Sequence, residues 1–377
     1  MKPVEQALAG TAAAVQRAAP LPEVPGALDA AQVRQSAEAI AAVQRPDGMI
    51  PWFEGGHCDP WNHVEAAMAL TVAGLHEAAD RAYQWLADSQ LGDGSWFNYY
   101  WAGTGAGAGV KDPRLDTNVC AYVATGAWHH FRITGDLGAL GEMWPTLQAA
   151  IDFVLRWQRA DGAILWSVDP DGRPGRYPLL TGSSSIYHAL RCAVACAETL
   201  GFERPDWELA AGRLAHAVAH TPQVFEPKAE FAMDWYYPVL SGALVGKAAA
   251  NRIDAWWDTF VMKGLGVRCV STGPWITAAE TAECALALDA LGRRDQAVQL
   301  LTWAQAHRCD DGSYLTGLVY PEQVTFPRGE RTTYTAGAVI LAADALSDAT
   351  PAAGLFRGEL LPADLDLTQP RRAGGRA

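Results

Sequence analysis

The sequence predicts an all-α fold, an (α/α)6 toroid of helical hairpins, on three observations. Apolar residues recur at three- and four-residue steps along most of the chain, a glutamine-to-Asp-Gly turn recurs where helices end, and no Pro/Gly/Ser linker or charge block divides the 377 residues. The periodic runs are AAMALTVAGLHEAADRAYQWLADSQ, TNVCAYVATGAWHHFRITG, WPTLQAAIDFVLRWQ, SSIYHALRCAVACAETLG and AAETAECALALDALGRRDQAVQLLTWAQ. Few stretches alternate in the way a half-buried strand does.

The turns supply the repeat. Gln44 precedes Asp47-Gly48 and Trp52, Gln90 precedes Asp93-Gly94 and Trp96, Gln158 precedes Asp161-Gly162 and Trp166, and Gln305 precedes Asp311-Gly312 and Tyr314. Four weak copies of one helix-to-turn unit, unevenly spaced, read as an internal repeat in which other copies have decayed. Helical hairpins of this size close into a toroid when their inner helices share a core, and alanine-rich helices allow the close approach. The expected organisation is an N-terminal extension over 1–28, one toroid of six hairpins over 29–357, and a tail over 358–377 without an assigned role. Loops at one rim of such a toroid would gather His57, Asp59, Trp96, Asp234 and Glu280.

Composition excludes several classes. A formal charge of -13 with no long basic run makes nucleic acid an unsuitable partner, and sugars or neutral small molecules suit the chain better. No stretch has the length of a transmembrane helix, and the alanine-rich N-terminus, interrupted by Glu5, Gln6 and Gln16, lacks a signal-peptide core. Seven scattered cysteines, with Cys192 and Cys196 one helical turn apart in an apolar run, read as reduced core thiols and a cytoplasmic location. No His/Cys set has zinc spacing, and His129-His130 would point to different helix faces, so no metal is expected. No phosphate loop, dinucleotide fingerprint or serine nucleophile motif appears, so no cofactor is expected either. The oligomeric state stays open.

What remains is carboxylate chemistry. The segment QRPDGMIPWFEGGHCDPWNHVE, residues 44–65, sets acids, histidines and tryptophans around Gly55-Gly56. Asp59-Pro60 reads as an N-cap followed by proline at the first helical position, which puts His57 and Asp59 where a loop feeds a helix. The plain alternative is that Asp47 and Asp59 only cap a turn and a helix. In GPWITAAETAEC, residues 273–284, Pro274 and Trp275 are expected to open a helix on which Glu280 and Glu283 share a face, as a site or as a solvent-facing acidic stripe. FAMDWYYPVL, residues 231–240, surrounds Asp234 with Met233, Trp235, Tyr236 and Tyr237, which fits a sugar, an isoprenoid or interior packing. Ser184 or Ser185 of TGSSSIYHALR is a candidate N-cap. Two acids flanking a bond are the minimum equipment for glycoside hydrolysis.

The Gln/Asp-Gly/aromatic turns resemble the repeats of the prenyltransferase and squalene-hopene cyclase superfamily, in scaffold only. The nearest stretch to the cyclases' aspartate motif is DPRLDTN, where Asp116-Thr117 lacks the pattern, and prenyltransferase zinc ligands are missing. Residues 126–162 are similar to glucoamylase-like (α/α)6 glycosidases. The runs GGHCDPWNHVE, TGSSSIYHALR, MDWYYPVL, GVRCV, PWITAAETAEC and TTYTAGAVILAADAL resemble, across residues 30–357, an actinobacterial family that includes the methylmannose polysaccharide hydrolase, an endo-acting α-1,4-mannosidase. The resemblance implies a cytoplasmic hydrolase of partly 3-O-methylated α-1,4-mannose chains, with one catalytic Asp and one Glu. These fall on Asp59, as ionised base, and Glu280, as general acid, with Asp47 and Glu283 as alternatives. Substrate contacts would come from Trp52, His57, Trp61, His63, Glu65, Asp234, Trp235, Tyr236, Trp275 and Tyr334. Where this chain reads DPWNHVE the family reads DPWDHVE, so Asn62 is a departure. Rival readings are a terpene cyclase or prenyl-transfer enzyme on the same toroid, and a non-catalytic glycan-binding protein.

Overall fold

The apolar periodicity resolves into helices that alternate between an inner and an outer layer. The structure, a computed structural model, describes residues 20–102 and 108–363. Its inner helices are α2 (Pro60–Val72), the nearly continuous pair α4 (Thr117–Ala121) and α5 (Val123–Thr134), α7 (Leu180–Thr199), α9 (Ala232–Leu240), α11 (Ala278–Ala290) and α13 (Thr333–Ser347). The outer helices are α1 (Ala30–Val43), α3 (His76–Ser89), α6 (Leu137–Leu155), α8 (Pro205–His220), α10 (Gly246–Phe260) and α12 (Arg294–Ala304). Each inner helix packs on the next, and α13 returns to α2, which closes the ring. Each outer helix covers the inner helix before it, while α1 covers α13 and completes the sixth hairpin.

Burial follows this layering. Every residue of α2 except Asn62 is buried, whereas α3 buries only Ala78, Ala79, Ala82, Tyr83, Trp85 and Leu86. Small residues set the ring's tightness: a Cβ on Gly126 would lie 2.5 Å from Val64 Cγ1, and one on Gly337 would lie 3.2 Å from the Glu65 carbonyl oxygen. The long periodic runs each divide once, at Gly74 (φ +71°) and Gly292 (φ +71°), where the left-handed conformation that glycine tolerates ends the inner helix.

The repeated turns clasp neighbouring outer helices. Gln44 Nε2 donates to the Gly48 and Ala78 carbonyls, Gln90 to those of Gly94 and Thr146, and Gln158 to those of Gly162 and Ala210. Each turn thereby ties the end of one outer helix to the next. In the fourth copy Gln305 bonds within its own hairpin, while Gly312, like the other three turn glycines, packs on the next outer helix, at Gln35 of α1, whose side-chain amide donates to the Asp310 carbonyl at 2.7 Å. The missing copies fall after α8 and α10, where the chain forms a 3-10 turn (Pro222–Val224) or enters strand β6 (Val261–Met262).

Inner-to-outer connections are short and outer-to-inner connections long, so one rim carries nearly all the irregular chain. Its short strands are β1 (His57–Cys58), β2 (Tyr99–Ala102), β3 (Ala108–Asp112), β4 (Leu115–Asp116), β5 (Ser167–Val168), β6, β7 (Gly266–Arg268), β8 (Trp275–Thr277), β9 (Gly317–Val319) and β10 (Val324–Thr325). They form antiparallel sheets ordered β1-β2-β3, β10-β9-β8-β7-β6 and β4-β5. Trp275 therefore lies on a strand, not at a helix start, and α11 begins at Ala278. Ser184 and Ser185 lie inside α7; Ser184 Oγ donates back to the Leu180 carbonyl and caps nothing.

The opposite end of the barrel is closed by the segment that follows α13. Phe356 stacks on His188 at 5.1 Å, Trp128 Nε1 donates to the Leu360 carbonyl at 3.2 Å, and Arg357 bridges to Asp289 at 2.8 Å and Asp348 at 2.7 Å. At the other terminus Val24 and Leu28 are buried against the toroid. The remainder of the extension and tail read from the sequence lies outside the described residues. Among the described residues no helix is long and apolar enough to cross a membrane.

Candidate active site

The inner helices run parallel, so their N-termini meet under the long-loop rim. Six residues near those N-termini mark the result: Asp59 caps α2, Asp116 caps α4, Thr181 opens α7, and Asp234, Glu280 and Tyr334 stand in the first turns of α9, α11 and α13. A cavity of about 460 Å³ lies between them, lined by Asp59, Glu280, Asp116, Trp52, Trp61 and Tyr334 together with Asn62, Tyr99, Arg114 and Trp166. A second lobe of about 310 Å³ adjoins it through Asp116, Asn118, Trp166, Thr181 and Met233, and Asp234 lines that lobe. The sequence expectation that Asp59 and Glu280 share a rim agrees with this placement.

Asp59 is buried and held from two sides. Trp52 Nε1 donates to Oδ2 at 2.6 Å, Asn62 Nδ2 donates to Oδ2 at 2.6 Å, and the Asn62 amide donates to Oδ1 at 2.9 Å. Burial pushes the carboxyl pKa upward, and the Asn62 and Trp52 hydrogen bonds pull it back. Because these partners offer only hydrogens, the ionised carboxylate keeps every bond, and the start of α2 adds favourable potential. Trp52 is fixed in turn by His57 at 4.4 Å and by the edge of Tyr334 at 5.0 Å.

Glu280 lines the cavity from α11, and Glu283 lies one turn deeper. Tyr237 donates to Glu283 Oε1 at 2.8 Å, and Tyr236 donates to Oε2. Burial pushes Glu283 up to about 8, aided by the negative charge of Glu280. Glu65, also buried and raised well above the carboxylate range by burial and by Glu283, faces the same small void below the floor. Asp116 is pushed up to about 6 by burial, with the Asp59 charge adding to the shift. The one basic residue lining the cavity among those described, Arg114, is held by Asp112 at 2.6 Å. The cavity is thus acidic and aromatic, an arrangement that favours positive charge developing on a bound neutral molecule.

Several residues expected at the site are placed elsewhere. Asp47 is half-exposed in its turn, accepting from the Met49 amide at 3.2 Å and pairing with Arg45. His63 is buried; Nδ1 accepts from the Ile50 amide at 3.0 Å, Nε2 contacts the Ala82 carbonyl at 2.9 Å, and burial lowers its pKa to about 4. His57 stays neutral, lowered to about 4 by burial and then by Lys111, and buttresses Trp52. Trp235 packs on Phe260 and donates to the Arg252 carbonyl, Tyr236 serves Glu283, and Trp275 donates to the Phe326 carbonyl at 3.0 Å. Trp96 is fully buried and bonds the Leu86 carbonyl. Glu283 lines the cavity below Glu280 and also borders the small void beneath, where Glu65 lies. Sequence reasoning overlooked Asp116, Tyr99, Asn118 and Trp166; the available signal was that Asp116-Thr117, like Asp59-Pro60, caps an inner helix.

Comparison with known proteins bears on this geometry. The chain is 51% identical over 346 residues, 92% of its length and 94% of the relative's, to the MMP endo-(1,4)-3-O-methyl-alpha-D-mannosidase of Mycolicibacterium hassiacum. This chain belongs to that glycoside hydrolase family. No family model matches it. Among solved structures it is similar to a glycosidase variant in complex with glucose (16% identity, TM-score 0.64, 88% of this chain and 97% of that one). It is also similar to the GH63 mannosylglycerate hydrolase of Thermus thermophilus (13%, 0.57, 82% and 99%) and to a D-mannose isomerase (13%, 0.60, 83% and 97%). At such identities the likeness shows the toroid alone, and the isomerase illustrates that the fold does not dictate the reaction.

Proposed function

We propose that this hydrolase cleaves internal α-1,4 bonds of mannose chains that carry 3-O-methyl groups, with Glu280 as general acid and Asp59 as the ionised base. The observation that carries the reading is that the two carboxylates line one cavity, under aromatic walls, in a member of this family. Glu280 gives its proton to the glycosidic oxygen as the C–O bond breaks. Asp59 accepts a proton from the water that attacks the anomeric carbon, and positive charge on the ring is stabilised by the surrounding acids. Two lobes joined side by side leave room for sugar on both sides of the scissile bond, which suits endo action.

The test is incubation of the purified protein with α-1,4-linked mannose oligosaccharides, methylated and unmethylated, and with polyprenyl diphosphates. New reducing ends from the mannosides are expected. Proton NMR of the first-formed anomer should show inversion, and retention would make Asp59 a nucleophile rather than a base. Binding without any cleavage would favour the glycan-binding reading, and a diphosphate product would favour the cyclase reading. A cytoplasmic location is supported by the seven unbridged cysteines.

A further inference from the structure

The second lobe differs in chemistry from the first. Its walls are Ile164, Ile186, Leu179, Met233 and Phe231, with Trp166 standing between the lobes. The two acids it contains are already engaged: Asp234 accepts from Thr181 Oγ1 at 2.5 Å, and Asp116 accepts from the amides of Asn118 at 2.8 Å and Val119 at 3.1 Å. The indole of Trp166 is braced by the Arg114 guanidinium at 5.5 Å. Lys228 also lines the lobe, and among its buried side-chain atoms the Asn118 carbonyl oxygen Oδ1 and the Ser183 hydroxyl have no partner. Such a lobe can satisfy few hydroxyls and much hydrocarbon.

We propose that this lobe is the subsite that selects an O-methylated sugar over a free one, with Leu179 and Met233 as its specificity-determining residues. The inference rests on the mannoside reading above and adds where the methyl group is recognised. A ring hydroxyl turned toward Leu179, Met233 and Ile164, away from Asn118, Ser183 and Lys228, has no hydrogen-bond partner on that wall, and a buried unpaired hydroxyl is disfavoured. A methyl ether removes that donor and buries one more carbon. Selection by a single methyl in an apolar pocket is on the order of 10-fold or more.

Leu179 and Met233 are only partly buried, so glutamine, equal in length to methionine and one atom longer than leucine, can be placed at either position without opening the core. The experiment measures kcat/KM for a matched pair of α-1,4-linked mannose oligosaccharides, one bearing 3-O-methyl groups and one bare, with wild-type, Leu179→Gln and Met233→Gln enzyme of verified thermal stability. The wild-type ratio of methylated to bare substrate is expected to be about 10 or more, falling toward one in the variants. A wild-type ratio near one overturns the subsite alone, as does a ratio that survives both substitutions. Wild-type enzyme that cleaves neither substrate overturns the functional reading, and this one with it. A variant that unfolds is replaced by Met233→Leu, a hydrocarbon exchange that must leave the ratio intact.

Discussion

At the scale of the residue, the carboxylates differ in what surrounds them, and their expected responses differ accordingly. Glu280→Gln preserves shape but has no proton to give, so kcat should fall by about 10² to 10⁴ with little change in substrate affinity, read by steady-state kinetics and calorimetric titration. Asp59→Asn should be as damaging, because its amide hydrogens would meet the donors of Trp52 and Asn62. Full activity in both variants would remove the pair from the chemistry. Asn62 donates to Asp59 at 2.6 Å, and an aspartate could do so only when protonated. Asn62→Asp therefore places a like charge beside Asp59 and raises its pKa. Since the base must be ionised, activity is lost as pH falls through that pKa, and the acid limb of kcat/KM against pH should move to higher pH in the variant. An unmoved limb would mean that Asp59 is not the group titrating there. The N-cap role of Asp59 was readable from Asp-Pro in the sequence. The meeting of Glu65 with Glu283 was not, because spacing within one helix gives height along the barrel but not which residue of another helix lies opposite.

At the scale of the element, helices were legible wherever apolar spacing was sustained, and the turns between hairpins were legible as punctuation. The rim strands were not: β8 and β9 are three residues each and exist only because loops far apart in sequence pair with one another. Aromatic clusters misled for a related reason, since composition does not give direction. Trp235 and Tyr236 point into packing, while Tyr237, beside them, reaches the cavity. The repeated clasp turns out to be structural, and its parts have separable costs. Gly94 has φ +93°, and a Cβ there would lie 2.2 Å from the Ala149 carbonyl oxygen, so Gly94→Ala forces both backbone strain and displacement of α6. A loss of about 3–5 kcal/mol is expected in denaturant unfolding. Gln90→Ala removes two donors to backbone carbonyls at 2.9 and 2.8 Å and should cost about 1–3 kcal/mol. Gly109→Ala, where an added Cβ meets nothing within 4 Å, is the control and should be neutral. Equal effects at the two glycines would argue that the turn does not hold the outer layer.

At the scale of the whole molecule, burying ionisable groups in one closed ring couples stability to pH, and the sign changes with the group. His63 and His188 are lowered to about 4 and His129 to about 3 by burial, so between those values and 6.5 the unfolded chain binds more protons and stability rises with pH. Asp116 and Asp344, raised to about 6 by burial, act oppositely from about pH 4 to 6, because there the folded chain holds the extra protons. The two sets offset each other in that range. Above pH 6.5 the histidines are neutral in both states, and those aspartates are ionised in both. Glu283 remains, raised to about 8 with its raised neighbour Glu65, so the folded chain still binds a proton that the unfolded chain has released. Stability should therefore decline from pH 6.5 to 8, by up to about 1.4 kcal/mol per pH unit for one proton. Calorimetric melting of the wild type across this window should show Tm falling by a few degrees. Glu283→Gln, which keeps an acceptor for the tyrosine hydroxyls and carries no proton to lose, should make the decline shallower, and adding Glu65→Gln should flatten it. A wild-type Tm that is level from pH 6.5 to 8 would show that the buried pair at the cavity floor holds no proton, and Glu283 would then be an ionised neighbour of Glu280 rather than a neutral one.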